Sequence, residues 1–323
     1  MFIVRVASPE HWEYRKVMLH SIPLSELNHE VGDFFQPMKL PFQVDLQGQV
    51  AVVTGGGGIL CRVMAEALAA CGAKVAVLDL REDAARQVSD HICRQGGEAV
   101  GLAANVLEMD SLEAAEQEVR RRLGQCRILI NGAGGNHPKG TTSNEFLTAA
   151  DLQASAGQEL ITFFDLDAEG VQFVFNLNFL GTLLPTQVFA RGMAESGAGT
   201  IVNISSMNAF CPLTKIPAYS GAKAAVSNFT QWLAVHMSRV GIRVNALAPG
   251  FFLTEQNRAL LTNDDGSLTA RAEKIVSQTP MGRFGAAEEL VGPLLWLVSD
   301  QGAGFVTGTV IPVDGGFNAY SGV

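Results

Sequence analysis

Seven short runs of apolar, often β-branched residues follow one another from about residue 49, and amphipathic stretches separate them. Each run is continuously apolar, which is typical of strands in a parallel sheet covered on both faces. The predicted strands are 49–54, 74–80, 99–106, 127–131, 200–205, 243–248 and 309–313. The helical patterns between and after them are 62–70, 82–95, 111–123, 218–239 and 290–298. This alternation predicts an α/β fold with a doubly wound parallel sheet, a Rossmann fold.

Two segments fall outside this rhythm. Residues 1–45 lack clear periodicity, so we expect an N-terminal extension, either loose or a docking arm, with Met38 as an alternative start. Residues 46–323 then form one domain. Within it, residues of about 135–170 are polar with apolar patches, and we interpret them as an insertion. A connection of that length inside a compact domain is usually functional or mobile.

Composition and net charge limit the classes of partner that the protein can bind. The 323-residue chain is 47% hydrophobic, enough for one large core, and carries a net charge of -9 without a basic block. We therefore expect neither a nucleic acid nor a membrane as partner, and no apolar run approaches the roughly 20 residues of a membrane helix. An anionic substrate would need a few locally placed cations.

The five cysteines are scattered and form no CxxC pair. Without a secretory signal, this usage indicates reduced, mostly buried thiols in a cytoplasmic protein. No second histidine, cysteine or carboxylate shares a ligand spacing with His137, so we expect no metal site.

A glycine-rich turn follows the first predicted strand and precedes a helix. Such a turn lets the backbone approach a pyrophosphate, and the helix N-terminus offers free N–H donors. The residues of this candidate phosphate cradle are Thr54, Gly55, Gly56, Gly57, Gly58 and Ile59. Four glycines alone could equally be a flexible turn.

Asp79, at the end of the second predicted strand, gives the turn its functional interpretation. A carboxylate at this place accepts hydrogen bonds from the adenosine ribose and repels a 2′-phosphate. It favours NAD(H) over NADP(H), although Arg81, two residues later, could soften that preference.

The motifs, taken in order, resemble those of the short-chain dehydrogenase/reductase family. They are Thr54-Gly55, Asn131-Gly132-Ala133-Gly134, Tyr219-Ser220-Gly221-Ala222-Lys223, Pro249-Gly250 and the C-terminal stretch 304–316. The resemblance covers about residues 46–317 and implies an enzyme acting on CH–OH donors. One departure is that Ile59 and Cys61 stand where the family usually has glycines.

The resemblance also implies roles at the cofactor. Asn105 would lie against the adenine with Val106 beside it, Asn131 would brace the central strand, and Thr254 would contact the nicotinamide carboxamide. The remaining residues implied at the cofactor are Gly132, Ala133, Tyr219, Lys223, Pro249 and Gly250.

Tyr219 and Lys223 are four apart on a predicted helix, so both project from one face. A free tyrosine has a pKa near 10, and we expect the lysine ammonium and a nicotinamide cation to lower it. A surface Tyr–Lys pair is the alternative interpretation. By the family's spacing, Ser206 rather than Ser205 would stabilise charge on the substrate oxygen.

The resemblance adds a fourth member to this group. Asn178, rather than its neighbour Asn176, would hold a water that relays protons through the lysine. With all four residues present, turnover is favoured over a non-catalytic nucleotide-sensing protein.

The insertion suggests a substrate. Its first residues, Asn136, His137 and Lys139, together with the glycine-rich turn, resemble the D-mannonate oxidoreductases (fructuronate reductases) of the short-chain type. These enzymes interconvert D-mannonate and D-fructuronate, polyhydroxylated anions that need cations and polar groups. A surface loop with a helix cap is the competing interpretation.

Several alternatives stay open at this level. The cation could instead be Lys215, Arg258 or Arg283, and the substrate another polyol, a sugar or a 3-oxoacyl compound. Relatives of this kind are commonly homotetramers or homodimers, which we also expect here.

Overall fold

The computed structural model describes residues 44–153, 160–254, 260–263 and 265–322. Within them, all seven predicted strands form and lie parallel in one sheet in the order β3-β2-β1-β4-β5-β6-β7. The strands are β1 (Val50–Thr54), β2 (Lys74–Asp79), β3 (Glu98–Ala103), β4 (Cys126–Asn131), β5 (Gly199–Ile204), β6 (Ile242–Pro249) and β7 (Val310–Val313). The doubly wound Rossmann-type sheet predicted from the sequence is confirmed.

Helices connect consecutive strands, as parallel pairing requires. They are α1 (Ile59–Ala70), α2 (Glu82–Arg94), α3 (Met109–Arg122), α4 (Ala168–Phe175), α5 (Gly181–Ser196), α6 (Pro217–Met237), α7 (Ala270–Ser277), α8 (Val291–Val298) and α9 (Asp300–Ala303). A π-helical turn, Asn176–Leu180, joins α4 to α5.

The sheet is buried on both faces. In β1, Ala51 and Val53 belong to one apolar cluster and Val50 and Val52 to another. This explains why the strands read as continuous apolar runs, since neither face meets solvent. β1 lies between β2 and β4, so the strand order reverses there. Ligands of such sheets bind beyond the carboxyl ends of the strands at that reversal.

The third strand ends earlier than predicted. The sequence indicated a strand to residue 106, but β3 ends at Ala103. The reason is local: the Asn105 side chain accepts the Leu107 N–H at 3.1 Å, which turns the backbone away from the sheet. Asn105 and the buried Val106 therefore occupy the loop at the carboxyl edge.

The insertion folds back on itself through backbone and side-chain hydrogen bonds. The Ser143 N–H donates to Ile161 O at 2.8 Å, and the Ile161 N–H donates to Ser143 Oγ at 2.9 Å. Phe163 and Phe164 stay exposed on it. Residues 154–159 of this segment lie outside the described residues, as do residues 1–43, including Met38. The predicted boundary at residues 45–46 and the role of the extension stay predictions.

The structure bears on two compositional expectations. The helical stretch Ala168–Ser196 is long and apolar enough to cross a membrane by length and composition alone. Its Phe189 and Met193 are buried in the core beside the sheet, as in a crossover helix. The five cysteines are all free, and the expectation that most are buried is wrong: Cys61 and Cys126 are buried, Cys71 is half-buried, and Cys93 and Cys211 are exposed.

Candidate active site

The glycine turn between β1 and α1 is held by its own backbone and by the neighbouring strand. The Gly56 N–H donates to Leu78 O at 2.9 Å, and the Gly58 N–H donates to Gly55 O at 3.0 Å. Gly55 has a φ of 62°, and a Cβ there would come within 2.8 Å of Ala133 Cα. No side chain caps the first turn of α1, so N–H groups remain available for an anion. The turn fits a pyrophosphate.

Cys61 resolves the departure from the family's glycine pattern. A Cβ on Gly132 would lie 2.3 Å from Cys61 Sγ, so the thiol packs directly against that backbone. Burial raises the pKa of Cys61 to about 12, which keeps it a neutral thiol. The side chain thus fills space beneath the turn without adding charge, while Ile59 begins α1.

Asp79 contacts the glycine turn directly. Its Oδ2 accepts the Gly57 N–H at 3.1 Å and its Oδ1 accepts the Arg81 N–H at 3.0 Å. A Cβ on Gly57 would approach Asp79 Oδ2 to 2.9 Å, so glycine is needed for this contact. The carboxylate is half-buried at the carboxyl end of β2, and its charge disfavours a second anion there.

Two buried polar side chains join the strands behind the turn. Thr54 Oγ1 accepts N–H groups from Gly132 at 3.1 Å and Ala133 at 3.3 Å. The Asn131 side-chain amide donates to Thr186 Oγ1 at 2.8 Å and to Asn203 Oδ1 at 2.9 Å. Both contacts fix the carboxyl end of β4 against its neighbours.

The other cofactor candidates also lie at the carboxyl edge of the sheet. The Asn105 amide donates to Glu108 Oε1 at 2.8 Å, and Val106 packs against Gly181 at the start of α5. Pro249 ends β6, and the Gly250 N–H donates to Val313 O at 2.9 Å. Thr254 is the last described residue before the gap at 255–259.

Tyr219 and Lys223 lie in the first turns of α6, and Lys223 is only 4% exposed. Lys223 Nζ lies 5.6 Å from the centroid of the Tyr219 ring and donates to Ile204 O at 2.8 Å. Burial lowers the pKa of Lys223 to about 8. The ammonium is therefore buried beside the tyrosine and can lose its proton near neutral pH.

The acidity of Tyr219 differs from the expectation. Burial raises the pKa of the phenol, and a hydrogen bond with Ser206 only partly opposes this. Lys223 directs its ammonium to the carbonyl of Ile204. Without a bound cation Tyr219 is a protonated phenol, a form that can donate a proton.

The two serine candidates are distinguished by their partners. Ser205 Oγ donates to Lys223 O at 3.1 Å and pairs with Ser227 Oγ at 2.7 Å, so it is used within the core. Ser206 Oγ accepts the Asn208 N–H at 3.2 Å. Its own proton is left for Tyr219 or for a substrate oxygen.

Asn178 is fully buried in the π-helical turn, whereas its rival Asn176 is half-buried. Its Oδ1 accepts the Gly135 N–H at 3.2 Å and its Nδ2 donates to Gly135 O at 2.7 Å. A Cβ on Gly134 would lie 2.7 Å from Asn178 Oδ1 and 3.1 Å from Lys223 Nζ. Gly134 thus separates the amide from the ammonium, and the four catalytic candidates lie together around β4, β5 and α6.

The substrate candidates on the insertion are largely occupied. Lys139 Nζ pairs with Asp167 Oδ2 at 3.1 Å, and this partner raises the pKa of Lys139. His137 Nδ1 accepts the Lys139 N–H at 3.2 Å, so it caps a short helical turn. The Asn136 amide donates to Thr141 Oγ1 at 3.0 Å. The competing interpretation, a loop with a helix cap, describes these contacts well.

Among the alternative cations, Arg283 forms a two-point ion pair with Glu289, with both N···O distances at 2.7 Å. Arg258 lies outside the described residues.

Sequence reasoning missed Asp167, which pairs with Lys139 and caps α4 through the Glu169 N–H. An aspartate directly before a helix is an N-cap signal that could have revealed it.

Comparison with known proteins assigns the family. The family model described as short chain dehydrogenase matches residues 49–265. The protein belongs to this family. An uncharacterised oxidoreductase of Haemophilus influenzae is 54% identical over 286 residues, which cover 88% of this chain and 99% of that protein. The protein is thus an oxidoreductase of the short-chain type.

Two solved structures extend the comparison. A Haemophilus influenzae protein with the provisional name D-mannonate oxidoreductase, crystallised with bound NAD, is 55% identical with a TM-score of 0.81; the match covers 86% of this chain and 98% of that one. A gluconate 5-dehydrogenase from Burkholderia cenocepacia, in complex with NADP and tartrate, is 29% identical with a TM-score of 0.72, over 87% and 99% of the two chains.

Proposed function

We propose that this protein is an NAD(H)-dependent oxidoreductase that interconverts D-fructuronate and D-mannonate. The observation that carries the proposal is the grouping of Ser206, Tyr219, Lys223 and Asn178 at the carboxyl edge of the sheet, on the side where the glycine turn and Asp79 lie. NAD(H) is supported by Asp79 and by the cofactor of the 55% identical relative. The substrate is supported by the provisional name of that relative.

The four side chains share the proton chemistry. Hydride transfer to the carbonyl carbon is what a bound nicotinamide supplies. As the carbonyl oxygen gains charge, Ser206 donates a hydrogen bond to it, and the Tyr219 phenol gives up its proton to complete the alcohol. The reverse reaction returns that proton to the phenolate and needs the pKa of Tyr219 to fall, which a neighbouring nicotinamide cation favours.

Lys223 and Asn178 would restore the proton on Tyr219. Lys223 donates one hydrogen bond to Ile204 O, so the other hydrogens of its ammonium are available to the cofactor ribose and to a water. A pKa of about 8 lets this ammonium release and regain a proton at neutral pH. Asn178, directed to the same place by Gly135, would hold the water that links the lysine to solvent.

A panel assay tests the function. Purified protein with NADH is mixed with D-fructuronate, other keto sugar acids, neutral ketoses and a 3-oxoacyl thioester, and loss of the nicotinamide absorbance is followed. We expect the highest kcat/KM with D-fructuronate, and NADPH to be the poorer cofactor. A higher kcat/KM with the thioester would refute the sugar-acid assignment and leave the 3-oxoacyl alternative.

The assembly and the location of the protein stay proposals. α6 exposes Trp232 and Val235, and such apolar side chains on a long helix support association of copies into a homodimer or homotetramer. The free thiols support a reducing compartment such as the cytoplasm.

A further inference from the structure

A sugar-acid substrate needs a cation, and two of the cations predicted for that role already have partners. Lys139 is paired with Asp167, and Arg283 is paired with Glu289 through both terminal nitrogens. Lys215 is exposed and forms no ion pair with any described residue. It is therefore the described candidate whose charge is least compensated.

The backbone of Lys215 is unusual. Its φ of 71° makes it the one non-glycine residue with a positive φ among the residues that the structure describes. A lysine held in the left-handed region is less stable than a glycine or an asparagine there, and such residues cluster at functional sites. The Lys215 carbonyl accepts the Thr142 N–H at 2.8 Å, which fixes this backbone against the insertion.

Lys215 also lies on the segment that connects two catalytic candidates. It follows Ser206 and precedes α6, whose third residue is Tyr219. The insertion reaches the same place, because a Cβ on Gly140 would be 3.5 Å from the Cβ of Ala218, the residue before Tyr219. The backbone of Lys215 is thus held between the insertion and the start of the helix that carries Tyr219.

Two lysines act on the carboxylate of Glu145, in a protein that carries -9 overall. Lys274 of α7 forms an ion pair with Glu145 of the insertion. The pKa of Glu145 is lowered chiefly by Lys274 and also by the charge of Lys215. Two ammonium groups therefore act on one carboxylate, and the second of them is free to attract another anion.

We propose that Lys215 forms the carboxylate subsite of the active centre, binding the acid group of the sugar-acid substrate while Ser206 and Tyr219 act on its carbonyl. The inference rests on the proposed function and deepens it. It also accounts for a charged residue at a position where glycine would fit with less strain.

Lys215→Asn is the sharpest variant, because asparagine tolerates the left-handed conformation and removes the ammonium group. A charge-assisted hydrogen bond to a carboxylate is worth about a 10- to 150-fold change in binding. We expect kcat/KM for D-fructuronate to fall by about that factor in Lys215→Asn and to stay within a few-fold of wild type in Lys215→Arg. Activity with D-fructose, which lacks the carboxylate, should not change.

Binding provides a readout independent of turnover. Titration of the enzyme–NADH complex with D-mannonate should show the same weakening, about 10- to 150-fold, in Lys215→Asn, whereas the Kd for NADH should not change. Lys274→Asn serves as the neighbouring-lysine control and should weaken D-mannonate less. Equal D-mannonate affinity in wild type and Lys215→Asn would overturn the subsite, as would a larger loss in Lys274→Asn.

The two proposals fail in different ways. If wild type binds D-mannonate through Lys215 but reduces another keto acid better than D-fructuronate, the proposed substrate is wrong and the carboxylate subsite stands. If wild type reduces D-fructuronate and Lys215→Asn does so equally well, the proposed function stands and the subsite is wrong.

Discussion

The position of Asn178 depends on a hydroxyl one turn later in the helix, and removing that hydroxyl should slow turnover. Thr182 is 1% exposed and donates its Oγ1 proton to Asn178 O at 2.8 Å. The bond lies at a π-helical turn, where the Gly181 N–H donates to the carbonyl of Asn176, five residues back. Thr182→Val replaces the hydroxyl by a methyl group of similar size, so the change removes a hydrogen bond without opening a cavity.

The magnitude follows from burial. A buried acceptor left without its partner costs about 1–3 kcal/mol. For a domain of this size each kcal/mol shifts Tm by roughly 2–4 °C, so we expect Tm to fall by roughly 2–12 °C. A displacement of about 1 Å in a catalytic group can cost about 100-fold in rate. Two hydrogen bonds to the Gly135 backbone fix the Asn178 amide, and a shift of Asn178 would disturb both. We therefore expect kcat to fall by about 10- to 100-fold.

The assay compares kcat, the KM for NADH and Tm in Thr182→Val with those in Thr279→Val. Thr279 is also buried and donates to a carbonyl four residues back, Ile275 O, at 2.9 Å. The control should lose similar stability and keep its kcat, and Thr182→Ser should recover the wild-type rate. If Thr182→Val loses stability like Thr279→Val but keeps kcat, the hydroxyl only supports the helix and the reasoning is refuted.

Three further predictions follow from the site. Tyr219→Phe should lower kcat by at least about 100-fold with an unchanged Kd for NADH, since only the proton donor is lost; a kcat within about tenfold of wild type would exclude the phenol as that donor. Asp79→Ala should raise kcat/KM with NADPH relative to NADH, and a wild type that already prefers NADPH would contradict the role of this carboxylate. Urea unfolding at pH 8 and pH 10 tests Cys61: its pKa is raised from 9.0 to about 12, so stability present below pH 9 is lost between pH 9 and 12, by about 1.4 kcal/mol per pH unit. Cys61→Ala should therefore lose less stability than wild type between the two pH values. Equal losses in the two proteins would show that burial does not raise the pKa of the Cys61 thiol.

The sequence by itself determined the sheet and the residues that approach the cofactor. Continuous apolar runs predicted all seven strands, because a strand covered on both faces has no polar side to display. The spacing from the glycine turn to Asp79 placed both at the carboxyl edge of the sheet. Local spacing alone could identify these features, since each depends on one strand and the turn that follows it.

Only the tertiary structure decided how the polar candidates are used. Nothing in the spacing shows that Ser205 is held by Ser227, or that Lys139 is held by Asp167. Ser227 is distant from Ser205 in the sequence, and Asp167 lies in an insertion without periodicity, so no local pattern predicts either contact. The same holds for the pKa of Tyr219, which depends on how the whole fold excludes water from one ring. Charge and hydrogen-bond partners are properties of the folded surroundings, so the sequence could propose the reactive groups but not their state.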